Sequence, residues 1–259
     1  MDHAGVRSVE TVLRDELARA DGAITGVAAV LRHILANAGD TLVSDASVAR
    51  VRGMVWDMAR QFIDQVPDHA DALEPLAQRF AADDAILGFA HAAAIEALLT
   101  ERLEQRASID PVLSPLWQEL IASQGGSVGE TAMQALAAQS RFMQSQSRMQ
   151  FPILELTPDI LEQALRLFAR AMPPGEETAT TQAIKNCIAD YDESSNRLGL
   201  INRLTLGMRQ GAIAAFEIEH AGFALFVSAL AQATNMERNV CVLACHGNQT
   251  ARLAVAMRA

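Results

Sequence analysis

A few residues in this 259-residue chain have types and spacings that suggest chemistry. Glu217 and His220 form Glu-x-x-His, which on a helix puts a carboxylate and an imidazole on one face. Carboxylate-bridged di-metal bundles use that unit twice and add two more glutamates. None of the other histidines (3, 33, 69, 91, 246) has a glutamate three residues before it, so the pair reads as a helix-end ion pair or cap. Cys241 and Cys245 lie one helical turn apart with His246 beside them. A closed zinc site needs four ligands of compatible geometry. His246 points about 100° away from Cys245 on a helix, and Cys187 is distant in sequence, so buried thiols in a core are the better reading. His33 and His91 lie inside helical segments, where a phosphotransfer histidine would lie. Both lack the acidic or lysine neighbours of such proteins. His91 shares a face with Leu87, Ala94, Ile95 and Leu98 and reads as a satisfied core histidine, so only an exposed His33 would keep phosphotransfer open. Gly125-Gly126-Ser127-Val128-Gly129 has no strand before it and no Gly-Lys-Ser/Thr after it, which makes it a turn and helix cap rather than a phosphate cradle. No nucleophile, base and orienting group come together. The expectation is a non-enzyme with no catalytic residue, no cofactor and no metal.

Binding is the other class of chemistry. Met133, Met143 and Met149, with Phe142 and Phe151, run along one segment beside a polar SQSRMQ face. Methionine-rich surfaces adapt to varied partners. Phe142, Met143, Met149 and Phe151 are therefore the candidate interaction residues, and Met143→Glu is expected to weaken association without unfolding the chain.

Composition narrows the field. Half the residues are apolar and a fifth are charged, as in folded domains. The net charge is -10, yet residues 197–259 hold six arginines against three glutamates. An acidic body excludes a surface that tracks phosphates, and no basic residues interleave with aromatics, so nucleic acid is not an expected partner. Three cysteines, no apolar leader after MDHAGVRSVE and no apolar run of the roughly 20 residues needed to span a bilayer point to a reduced, cytoplasmic protein with no membrane segment.

The elements that must position these residues are helices. Ser8 and Asp21 are read as the caps of two successive helices, the second stopping at Gly39. A helix over 46–66 buries Val48, Val51, Val55, Met58 and Phe62, and one from Asp68 carries Leu73, Leu76 and Phe80. Asp83 or Asp84 starts a long, small-residue helix. Asp110-Pro111 reads as the next helix start after a turn at 107–111, Ser127 and Glu130 have capping-box spacing for a helix to about Gln150, and Thr157-Pro158 opens another. A segment over 178–191 precedes the C-terminal group. His220–Met236 contains no charged side chain beyond His220 itself, and Phe223, Phe226, Val227 and Leu230 recur at helical spacing, so this helix is the packing centre of the C-terminal half. NVCVLAC alone has strand character, and an isolated strand has nothing to pair with, so it reads as a short buried helix.

The segment HAGFALFVSALAQATNMERNVCVLACHGNQTARLAVAMRA, and SRFMQSQSRMQFPILELTPDILEQAL before it, resemble the pattern of a bacterial all-helical family, domain of unknown function 2336. The resemblance spans about residues 113–259 and implies a helical fold; it brings no assigned chemistry. The expected architecture is all-α, with an N-terminal helical bundle over 1–107 and a HEAT-like stack of helix pairs over 108–259. The expected function is a cytoplasmic protein-interaction or assembly module whose partner is another protein or a second copy in a homodimer. The alternative is a small-molecule sensor or carrier with an apolar pocket between helices.

Overall fold

The computed structural model describes residues 9–36, 45–66, 69–123, 127–246, 253–255 and 257. Within them the chain forms eleven α-helices and three 3-10 turns, and there is no strand among the described residues. α1 (Val9–Ala36) is one continuous helix rather than the two expected around Asp21. A mid-helix Gly costs only about 1 kcal/mol, and a methyl group added at Gly22 would meet nothing, so open surface there tolerates Asp-Gly without a break. The caps and stop read at Ser8, Gly39, Asp68 and Gly125-Gly126 lie outside the described residues.

α2 (Asp45–Ile63) buries Val48, Val51, Val55, Met58 and Phe62, the face its spacing predicts. α3 (Leu73–Ala82) follows a 3-10 turn and buries Leu76 and Phe80, with Leu73 packed at the edge. Asp83 caps α4 (Asp84–Ala107) by accepting the amides of Ala85 and Ile86, both at 3.1 Å, and α4 ends on Ser108 in the left-handed region at φ 56°. Asp110 accepts the amides of Val112 and Leu113, but this closes a turn, not a helix. α5 (Pro115–Ala122) begins later, behind Ser114, because proline fits the first helical turn. α6 (Ser127–Ser147) stops short of the expected Gln150 because Met149 takes φ 57° and turns the chain.

α7 (Pro158–Ala171), α8 (Glu177–Asp190) and α9 (Arg197–Gly207) follow, the last capped by Asn196, whose side chain accepts the Gly199 amide at 2.8 Å. α10 (Ile218–Thr234) is bent at Gly222, where φ is 72°. Ser114 fills the bend and donates its hydroxyl to the carbonyl of Ala221 at 2.7 Å. Every residue from Ala221 to Ala231 is buried, so this helix is a packing centre as its composition requires. α11 (Arg238–Ala244) is the NVCVLAC segment, helical and with Cys241, Val242 and Ala244 buried.

Two apolar clusters result, and they interleave along the chain across the 107/108 turn. The first joins α2, α3 and one face of α4 to the end of α6, α7 and α8. The second joins Ile95 of α4 to α5, most of α6, α9, α10 and α11. α4 borders both and is buried along most of its length from Ile86 to Thr100.

Candidate functional site

Met149 and Gly53 set the geometry of the turn that follows α6. Gly53 lies so close beneath it that a methyl group there would meet the Met149 Cβ at 2.5 Å and its carbonyl oxygen at 2.8 Å. Glycine lets the turn seat directly on α2. Two buried or half-buried side chains of α2 then fix the backbone beyond it. The Asp57 carboxylate accepts the Phe151 amide at 3.1 Å. The Gln61 amide donates to the Phe151 carbonyl at 2.8 Å and accepts the Ile153 amide at 3.1 Å. Phe151 packs edge-on against Phe89 with ring centroids 5.2 Å apart. Through these contacts the turn is preorganised.

What it presents outward is apolar. Met149 is 43% exposed, Leu154 40%, and Trp56 on α2 45%. A cleft of about 270 Å³ lies on one side of the turn, with Phe142, Phe151, Pro152, Leu154 and Leu198 as apolar wall and Arg141, Arg148 and Arg197 as the cationic part. On the other side Trp56, Met149, Arg52 and Arg60 line a shallow depression. Arg148 borders both and makes no side-chain hydrogen bond or ion pair among the described residues.

Of the four residues singled out in the sequence, Phe142 and Phe151 are cleft wall, almost fully buried, and Met149 is the exposed tip. They do not share one helix: Phe142 is on α6 and Phe151 lies beyond the turn. Met143 is half-buried against the first cluster, so a glutamate there would disturb packing, and Met149 is the surface position instead. Met133 is 52% exposed on α6.

Behind the cleft lies a group that the sequence reading passed over. Glu96, 1% exposed in the middle of α4, receives two guanidinium groups. Arg197 donates to its two oxygens at 2.7 and 3.0 Å, and Arg238 donates to both at 2.7 Å. Arg197 also donates to Gln139 at 3.0 Å and stacks 3.7 Å above the Phe142 ring. Arg238 donates its Nε hydrogen to Ser228 at 2.8 Å. Burial works against the charged Glu96 carboxylate, but the two arginines outweigh it and hold the group well below the usual carboxylate range. The available signal was a single charge inside the apolar run Ile86–Leu99: buried charges are paired, so a partner had to exist.

The remaining candidates are scattered. Glu217 precedes α10 with extended backbone, so it and His220 do not share a helix face, and His220 meets Glu119 of α5 at 3.4 Å instead. Cys187 and Cys241 are buried, and burial pushes both thiols up. The Cys245 thiol is pushed up to about 12 by burial, with Cys241 adding to it, which keeps it protonated and a poor nucleophile or ligand. No group of three or more His, Cys, Asp or Glu residues among the described residues is arranged to hold a metal ion. His91 is buried, but it is not satisfied: its Nδ1 has no hydrogen-bond partner. Burial, and secondarily nearby His246, lowers it to about 4. The His33 side chain lies outside the described residues. No helix among the described residues is long and apolar enough to cross a membrane.

No protein-family model matches the chain, and no curated protein or solved structure is significantly similar to it.

Proposed function

We propose that this chain is a non-catalytic, cytoplasmic protein-interaction module whose contact surface is the turn over 148–154 and the clefts beside it. The observation that carries the reading is the stitching of Phe151 and Ile153 to Asp57 and Gln61. It holds Met149 exposed beside Trp56, and Leu154 exposed on the other side of the turn, in a fixed arrangement. Apolar side chains on a preordered backbone lose little conformational freedom on binding, which is where affinity is usually lost. Arg148, which borders both clefts and pairs with no carboxylate among the described residues, favours an acidic and apolar segment of another protein. The family resemblance and a HEAT-like stacking of the C-terminal helices belong to the same proposal. The packing of neighbours in sequence, α5 on α6 and α10 on α11, supports the stacking.

Selection of a displayed random-peptide library against the full chain tests this. Enriched peptides should combine Asp or Glu with large apolar residues, and binding should be lost on Met149→Glu with an unchanged melting curve, because an exposed substitution shifts stability by only about 0.5 kcal/mol. Failure to enrich any peptide, or binding indifferent to Met149→Glu, overturns the reading. A native mass spectrum showing a dimer that Met149→Glu dissociates assigns the surface to a second copy. The alternative, a small-molecule carrier, is favoured by the apolar wall and arginines of the 270 Å³ cleft, and a reproducible small adduct in the same spectrum would support it.

A further inference from the structure

We infer that a second cleft, walled by Arg238, binds a small molecule bearing one oxyanion and a short apolar group. This cleft, of about 310 Å³, lies where the starts of α7 and α9 meet α10. Among the described residues its one cation, Arg238, is only partly neutralised. Two guanidiniums share the one carboxylate of Glu96. On the Arg197 side Gln139 and the Phe142 ring take up the rest of the guanidinium. On the Arg238 side no carboxylate other than Glu96 is within ion-pair distance among the described residues. A guanidinium has five N–H donors. In Arg238 one goes to Ser228 and two to Glu96, which leaves one N–H on each Nη, and the one on the Ser228 edge can meet an oxyanion at the cleft wall.

Other donors converge on the same space. Asn202 accepts from Gln232 through its carbonyl oxygen at 2.7 Å, leaving its NH₂ group to donate. The Thr157 hydroxyl caps no amide of α7 and lines the cleft, where it can donate to a ligand oxygen. Leu198, Ala231 and Met236 supply an apolar wall. Glu193 on the lining limits the occupant to a single oxyanion, because further negative charge would be repelled. A carboxylate and a phosphate meet these requirements alike.

Isothermal titration of the full chain with butyrate and with inorganic phosphate tests the inference. Saturable binding of either supports it and names the source: butyrate alone a carboxylate, phosphate alone a phosphoryl group. Asn202→Asp, an exposed change, should weaken that binding about tenfold, and Glu193→Gln should tighten it, with folding intact by circular dichroism. Arg238→Gln should abolish binding; if that variant fails to fold, the two exposed variants still decide. Absence of saturable binding by both probes at millimolar concentration overturns the inference. So does binding unchanged by Asn202→Asp and Glu193→Gln, which would mean an adventitious ion only.

Discussion

Around Phe62 the molecule is closed by rings, and around Glu96 by charge. Phe62 stacks on Phe168 with centroids 5.4 Å apart and meets the edge of Phe80 at 5.9 Å, and nothing polar is needed to complete the contact. In the middle of α4, small side chains and the continuous apolar run of α10 bring helices close enough to seal a carboxylate between two arginines. The rings gain from burial directly. The charges gain little from it and would lose a great deal if separated. Two neighbouring regions of one protein are thus stable for opposite reasons.

The largest test of that contrast is removal. Glu96→Ala leaves two guanidiniums buried without a counter-charge and should cost about 3–5 kcal/mol in urea unfolding. Phe168→Ala should cost a similar 3–5 kcal/mol, as a cavity. The contrast appears on rescue. Glu96→Leu combined with Arg197→Met and Arg238→Met should recover the loss and add up to about 1–4 kcal/mol, because an apolar set replaces a desolvated one. A Glu96→Ala loss under about 1 kcal/mol would mean that water reaches the charges and that the two regions do not differ in kind.

Acid comes next. A histidine ordinarily titrates at 6.5, and His91 is held to about 4. Below pH 6.5 the unfolded chain takes up a proton that the folded one refuses. Stability therefore falls from pH 6.5 down to 4 by about 3 kcal/mol in all, and this group adds no further loss beneath that. Glu96 acts lower. Its folded pKa is depressed from 4.5, so its contribution is complete above that value and disappears as pH falls below it. His91→Leu should flatten the upper part of the stability profile and leave the lower part. A profile unchanged between pH 6.5 and 4 would show that His91 finds a partner in solution.

The smallest effect belongs to the attachment of the turn. Gly53→Ala inserts a methyl group against Met149 and should cost about 1–3 kcal/mol as overpacking. It should also weaken peptide capture while Asp57 and Gln61 remain in place. Capture as strong as wild type would mean that the turn binds without its seat on α2.

The first region was largely legible. The spacing of Val48, Val51, Val55, Met58 and Phe62 carries its own orientation, and Asp83 and Thr157-Pro158 announce helix starts through local chemistry. The errors fell where a local signal was ambiguous. Asp21 resembles a cap but sits on an uninterrupted helix, and Asp110 closes a turn because Ser114 and Pro115 offer a better start. The candidate site was half legible: Phe142, Met149 and Phe151 do border one feature, yet the reversal at Met149 and its seat on Gly53 depend on α2, about ninety residues earlier. Glu96 was missed because its meaning lies wholly in residues 101 and 142 positions away.

Those separations also bear on how the chain is made. A ribosome delivers α4 long before Arg197 and Arg238 exist, so during synthesis Glu96 is a lone carboxylate on a helix otherwise fit for burial. The growing chain can close around Phe62 once α7 has emerged, but the far end of α4 must stay wet until its last counter-charge arrives. Completion of the fold is thereby tied to a residue made 142 positions after Glu96, and a nascent chain arrested before Arg238 would carry an open seam that proteases and chaperones can recognise.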